Sequence, residues 1–161
     1  MKQGLIELPA VTVAYFRQVG PYGSAIQPLW VKLRDWALPR GLWTPATISY
    51  GISHDSPMDT PPEKCRYDAG IQVPGDFKFE DGLLRADLPG GTYASREYVG
   101  QADDVCASFG DVLHRVIPQL GRQFDFTRPM FERYVGCVNV EPNGTFNCDI
   151  CVPVMGDKVD S

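Results

Sequence analysis

Met130-Phe131-Glu132-Arg133-Tyr134 is the stretch of this 161-residue chain whose residue types most readily do chemistry. Read as a strand, its side chains alternate. Met130, Glu132 and Tyr134 then share one face, and Phe131 and Arg133 share the other. A carboxylate between a thioether and a phenol suits a cation-attracting pocket. Aromatic faces draw cations, and a low local dielectric strengthens the pull of the acid. Phe131 reads as a core residue, which turns Glu132 away from the helices and toward an open face. The plainer alternative is a surface glutamate paired with a nearby arginine.

Other aromatic residues could wall such a pocket. Tyr15, Tyr50, Tyr67 and Tyr93 all fall in strand-like stretches, and Trp43 lies between a helix and a strand. Trp30 and Trp36 sit in a helical run, where core packing is the default. His54 reads as a loop residue and His114 as a helix-surface residue. No G-x-S-x-G elbow, phosphate loop or complete metal motif is present, so no cofactor or metal is expected. Cys148 and Cys151 have CxxC spacing, but in a strand residues three apart point to opposite faces, which favours packing over a zinc or redox pair.

The elements that must position these residues follow from periodicity. Leu5 to Val19 alternates and is rich in β-branched and aromatic residues, so it reads as one strand with Pro9 at a bulge or start. Ile26, Leu29, Trp30, Leu33 and Trp36-Ala37 recur at helical spacing, with Ser24 as a candidate N-cap and Leu38-Pro39-Arg40-Gly41 as the stop. Thr47 to Ser53 and Cys65 to Val73 are strands. Leu83 to Val99 repeats the first pattern. A second helix begins at Asp103-Asp104, runs through Val105, Phe109, Val112 and Val116, and breaks at Pro118 and Gly121. Phe131 to Val140 and Thr145 to Val154 read as a closing hairpin around Pro142-Asn143-Gly144.

The two halves echo each other. Leu8-Pro9 through Gly20 aligns without gaps with Leu88-Pro89 through Gly100, with Leu, Pro, Thr, Ala, Val and Gly coinciding. The reading is therefore α+β: a duplicated strand-helix-strand-strand unit with pseudo-twofold symmetry. Its antiparallel sheet would carry two main helices on one side, with a cleft between the repeats. Repeat 1 covers about 5–80, repeat 2 about 83–155, and 156–161 reads as a polar tail expected to fray, as chain ends do unless tied down. The whole of 1–161 forms one domain.

Hydrophobic residues at 43% are enough for a core, and the net charge of −5 disfavours nucleic-acid binding, which needs a basic face. No apolar run has membrane-span length, and the N-terminus lacks the basic and apolar segments of a secretion signal. An odd count of five cysteines fits reduced thiols, and the expected location is cytoplasmic.

In order and spacing, Leu8-Pro9-Ala10, Gly20-Pro21-Tyr22, Gly51-Ile52-Ser53-His54-Asp55, Arg66-Tyr67-Asp68-Ala69-Gly70, Phe131-Glu132-Arg133-Tyr134 and Asp149-Ile150-Cys151-Val152-Pro153 resemble the GyrI-like small-molecule-binding domains. The similarity extends from about Leu5 to Val154. It implies a cleft between repeats lined by aromatics around an acid, here Glu132. The ligand-binding set would be Glu132, Tyr134, Tyr15, Tyr50, Tyr67, Tyr93, Trp43 and Met130, and the ligand a cationic, lipophilic or aromatic compound. The resemblance also allows two other roles. One is a hydrolase of small electrophilic compounds, using Glu132 with Tyr134, Tyr50 or Tyr67. The other is an interaction with DNA gyrase or a transcription regulator. The chain has no room for a helix-turn-helix, and either a monomer or a homodimer fits.

Overall fold

The computed structural model describes residues 2–142 and 144–156. Eight strands form one curled antiparallel sheet: β1 (Gln3–Leu8), β2 (Val11–Val19), β3 (Ile48–Ser53), β4 (Arg66–Val73), β5 (Leu84–Leu88), β6 (Gly91–Gly100), β7 (Phe131–Val135) and β8 (Phe146–Pro153). Their order across the sheet is β1-β6-β8-β7-β3-β4-β2-β5. Exchanging β1 with β5, β2 with β6, β3 with β7 and β4 with β8 returns the same order read from the other edge. Two similar units would generate this permutation. The strand order concerns connections, and common descent of the halves stays a reading of the sequence. The expected polar tail lies, from residue 157 on, outside the described residues, as does Asn143 of the expected hairpin turn.

Each stretch expected to open a unit as one strand is two strands. The chain breaks at Pro9-Ala10 and at Pro89-Gly90, where proline cannot donate to a ladder. The short first strand of each half then pairs with the other half, β1 beside β6 and β5 beside β2. The midline of the sheet is the β3–β7 pair, with Gly51 opposite Glu132 and Tyr50 opposite Arg133.

Helix α1 (Gln27–Ala37) forms because Leu29, Trp30, Leu33 and Ala37 recur on one face, and Pro28 sits in the first turn, where a missing N–H costs little. It ends at Gly41, whose φ of +69° is left-handed, with its N–H bonded to the Leu38 carbonyl. Ser24 is not its N-cap. A 3-10 turn (Gly23–Ile26) precedes the helix, and the Ser24 N–H donates to Asp103 Oδ1 at 2.7 Å, tying the two halves together. Helix α2 (Val105–Asp111) continues through a π-helical segment (Val112–Val116) to a last turn at Ile117–Gln119.

Both helices pack on one face of the sheet. Leu33, Val112, Val116 and Ile117 join Ala69, Ile71, Ile150 and Val152 in the main core. Each such side chain fully buried contributes about 1.5–3 kcal/mol. The opposite face carries a smaller cluster of Val13, Tyr50, Ile52, Leu88, Tyr93, Phe131 and Cys151. Cys148 belongs to the first cluster and Cys151 to the second, as strand alternation requires, and both are free thiols.

Candidate functional site

Glu132 lies at the midline of the sheet and is 2% exposed. Its side chain points to the helix-covered face, opposite to the sequence reading. Phe131 is indeed buried, but its ring fills the smaller cluster on the other face, so alternation sends Glu132 under the helices. There its Oε1 accepts hydrogen bonds from Tyr67 Oη at 2.9 Å and Tyr134 Oη at 3.3 Å. The Trp30 indole N–H in turn donates to Tyr67 Oη at 3.2 Å, and the Trp30 and Tyr134 rings meet edge-on at 5.1 Å. Four residues from α1, β4 and β7 thus form one connected buried polar network.

Gly51 makes room for it. A Cβ at this position would lie 2.0 Å from Tyr67 Oη and 2.9 Å from Glu132 Oε1, closer than atoms can approach. Only a glycine opposite Glu132 lets the phenol reach the acid.

Burial pushes the Glu132 carboxyl up from 4.5 to about 7, against the pull of the Tyr67 and Tyr134 hydrogen bonds, which favour the ionised form. Burial, and then the nearby Glu132 charge, raise both tyrosines well above their ordinary value, so they stay protonated donors. The acid is therefore poised to change charge near neutrality, and a positive group brought close would favour its ionised form.

A hollow of about 130 Å³ opens beside the network. Trp30 and Tyr134 form its floor, Ile26 and Gln27 one side, and Val138 to Pro142 with Phe146 the other. Glu132 sits behind Tyr134 and Trp30. The outer wall exists because the strand expected over 131–140 stops at Val135. Gly136 turns out with φ +94°, its N–H bonded to the Thr47 carbonyl at 2.8 Å, and the following loop folds over the hollow.

Residues 1–155 match the family model described as a GyrI-like small molecule binding domain. The chain belongs to this family. It is 40% identical over 156 residues, covering 96% of this chain and 100% of the relative, to the "SPbeta prophage-derived putative transcriptional regulator YosT" of Bacillus subtilis (strain 168). It is 27% identical over 146 residues to the DNA gyrase inhibitor of Cronobacter sakazakii, covering 89% of this chain and 90% of the relative. Among solved structures it is similar to SAV2435 bound to tetraphenylphosphonium, with a TM-score of 0.59, 17% identity, and coverage of 97% of this chain and 95% of that one. At that identity the likeness shows the fold.

Within this GyrI-like domain the expected ligand-binding residues divide. Glu132, Tyr67 and Tyr134 come together. Tyr15, Tyr50 and Tyr93 do not join them, because they pack with or against the cluster on the opposite face of the sheet. Trp43 is buried in the helix-side core and Met130 is partly buried against it, and neither lines the hollow. Of the tyrosines named as acid partners for a hydrolase, Tyr50 is thus on the wrong face for Glu132.

Trp30 belongs to the site although its spacing reads as core. The signal was its indole N–H, which must find an acceptor when buried. Gln27, Phe146 and the 138–142 loop also escaped the sequence reading. His54 lies in the loop after β3, as expected, and is also tied down there. Its Nε2 lies 2.6 Å from Asp68 Oδ2, and Arg17 bonds the same carboxylate through Nε at 2.8 Å. His114 is exposed on the helix, as expected. Among the described residues no helix is long and apolar enough to cross a membrane, and no cluster of potential ligands could hold a metal ion.

Proposed function

We propose that this domain binds cationic, lipophilic aromatic compounds in the helix-side hollow, with Glu132 as the counter-charge and Trp30, Tyr134 and Phe146 as the aromatic walls. The observation that carries the reading is the buried carboxyl held by two phenols, one of which, Tyr134, lines an aromatic hollow. Such an acid is costly to ionise alone, so a bound cation gains what desolvation took. The hollow is smaller than the 300–1,000 Å³ typical of drug-sized sites. A single-ring cation matches it most closely, and a larger one requires the rings of Trp30 and Tyr134 to swing aside, which also uncovers Glu132. The neighbour bound to tetraphenylphosphonium supports this class of ligand.

Titration with tetraphenylphosphonium and with neutral triphenylphosphine oxide tests the reading. Glu132→Gln should weaken the cation about 30-fold or more and the neutral compound less than about twofold. Cation affinity should also fall by about tenfold per pH unit below 7, where the acid holds its proton. Equal losses for both ligands would remove Glu132 from the account.

A second reading is protein binding, supported by the relatives named DNA gyrase inhibitor. A supercoiling assay with purified gyrase separates it from ligand binding, because inhibition there should be unchanged in Glu132→Gln. The hydrolase reading has less support, since general-base action needs a water on the carboxylate and Oε1 is held by Tyr67 and Tyr134. A transcription regulator as partner rests on the name of the Bacillus subtilis relative and is tested by co-purification.

A further inference from the structure

The opposite face of the sheet holds a second hollow, of about 160 Å³, whose polar character is reversed. Its position follows from the doubled pattern in the sequence. Leu8-Pro9 from the first half and Leu88-Pro89 from the second meet at its edge, across the midline strands β3 and β7. Its aromatic wall is three rings. Phe131 is in edge contact with Tyr50 at 5.3 Å between centroids, and Tyr93 lies 5.2 Å from Phe131 on the other side.

Arg133 is the charged residue of this hollow, and no carboxylate lines it. The guanidinium is half-buried and lies against the Tyr50 hydroxyl, where it pulls the phenol down while burial, the larger effect, holds it up. Among the described residues Arg133 forms no ion pair. Asp149 is its partner in strand register, yet the two side chains make no salt bridge. The tyrosine protons are already committed. Tyr50 Oη donates to Gln72 Oε1 at 3.0 Å, and Tyr93 Oη donates to the Pro89 carbonyl at 2.7 Å. The other arginine near these rings, Arg128, stacks on Tyr93 but is neutralised by Asp125. Arg133 therefore keeps most of its five donors unspent at the edge of an apolar, ring-lined space.

We propose that this second hollow binds a small aromatic carboxylate, with the ring against Phe131, Tyr50 and Tyr93 and the carboxylate on the Arg133 guanidinium. The size fits one ring, since an apolar cavity of about 150 Å³ accepts benzene. A guanidinium pairs with a carboxylate through two parallel N–H bonds, a geometry that a neutral ring cannot use. The site is independent of the Glu132 hollow, which lies on the other side of the sheet.

The test is NMR titration of the full-length protein with benzoate, and with benzyl alcohol and benzylammonium as neutral and cationic counterparts. Benzoate should shift the signals of Tyr50, Tyr93, Phe131 and the Arg133 side-chain N–H, and should bind about tenfold or more tightly than either counterpart. Arg133→Met keeps the apolar stem and should lose that preference, Arg133→Lys should retain most of it, and Glu132→Gln should leave it unchanged. Equal affinity for benzoate and benzyl alcohol, or benzoate shifts confined to Trp30, Tyr134 and Phe146, would overturn the proposal. The mapping on the unmodified protein decides the matter even if Arg133→Met does not fold.

Discussion

The two faces of strand β7 make a controlled comparison, because Glu132 and Arg133 are adjacent in sequence and lie on opposite sides of one sheet. On the helix side, two phenols are spent on the acid, and burial moves its titration to about 7. On the other side, two phenols are spent on an amide and a carbonyl, and the base is left without a counter-ion. What differs is the cover. Helix α1, the 101–103 turn and the 138–142 loop border the acidic hollow, while the basic one is lined in part by prolines at strand breaks. The lesson is that charge in a pocket is set by which residue the pleat turns inward, and its strength by what packs over it.

The largest expected break in this comparison is a pH effect on stability. The folded value of Glu132 lies above 4.5, so between these values the folded state holds more protons than the unfolded one. Its contribution is full below about pH 4.5, is lost as pH rises to about 7, and stays lost above. The loss is on the order of 3 kcal/mol. Denaturant melts of the unmodified protein and Glu132→Gln from pH 4.5 to 8 should differ by this trend, and parallel curves would show that the acid is not desolvated.

Gly51→Ala comes next. The added methyl displaces the Tyr67 hydroxyl from Glu132 and should cost about 1–3 kcal/mol while weakening cations more than it weakens benzoate. Calorimetry together with both titrations would read it. Ser49→Ala should act in the opposite sense. Ser49 Oγ is buried without a hydrogen-bond partner on the strand beside Tyr134, so its removal should stabilise by about 1 kcal/mol, seen as a raised Tm. The smallest expected effect is that of Arg133→Met on tetraphenylphosphonium, a change in affinity below about twofold, since the sheet separates the two hollows. A larger change would join the sites that the fold keeps apart.

Much of the fold was legible. The helical stripe of Leu29, Trp30 and Leu33, the alternation in β2, and the opposed cysteines of β8 all came from period alone. Pro9 was read as a bulge or strand start and no break was read at Pro89, because periodicity does not reveal that a strand changes partners. Within the site, Glu132 and its neighbour Tyr134 were legible from one strand. Tyr67 was named with Tyr15, Tyr50 and Tyr93, and nothing local could sort these four between two faces. The loop after Gly136 was read as strand because Val138 and Val140 alternate with Cys137 and Asn139.

The sequence by itself determined that Glu132 and Arg133 must part company, since a pleated strand sends consecutive side chains to opposite faces. It also placed Glu132 on the face of Met130 and Tyr134 and Arg133 on the face of Phe131. Only the tertiary structure decided which of the two the helices would cover, because that choice rests on packing over the whole sheet. Phe131 could be core on either face. Its ring went to the smaller cluster with Tyr50 and Tyr93, and the acid was left beneath Trp30.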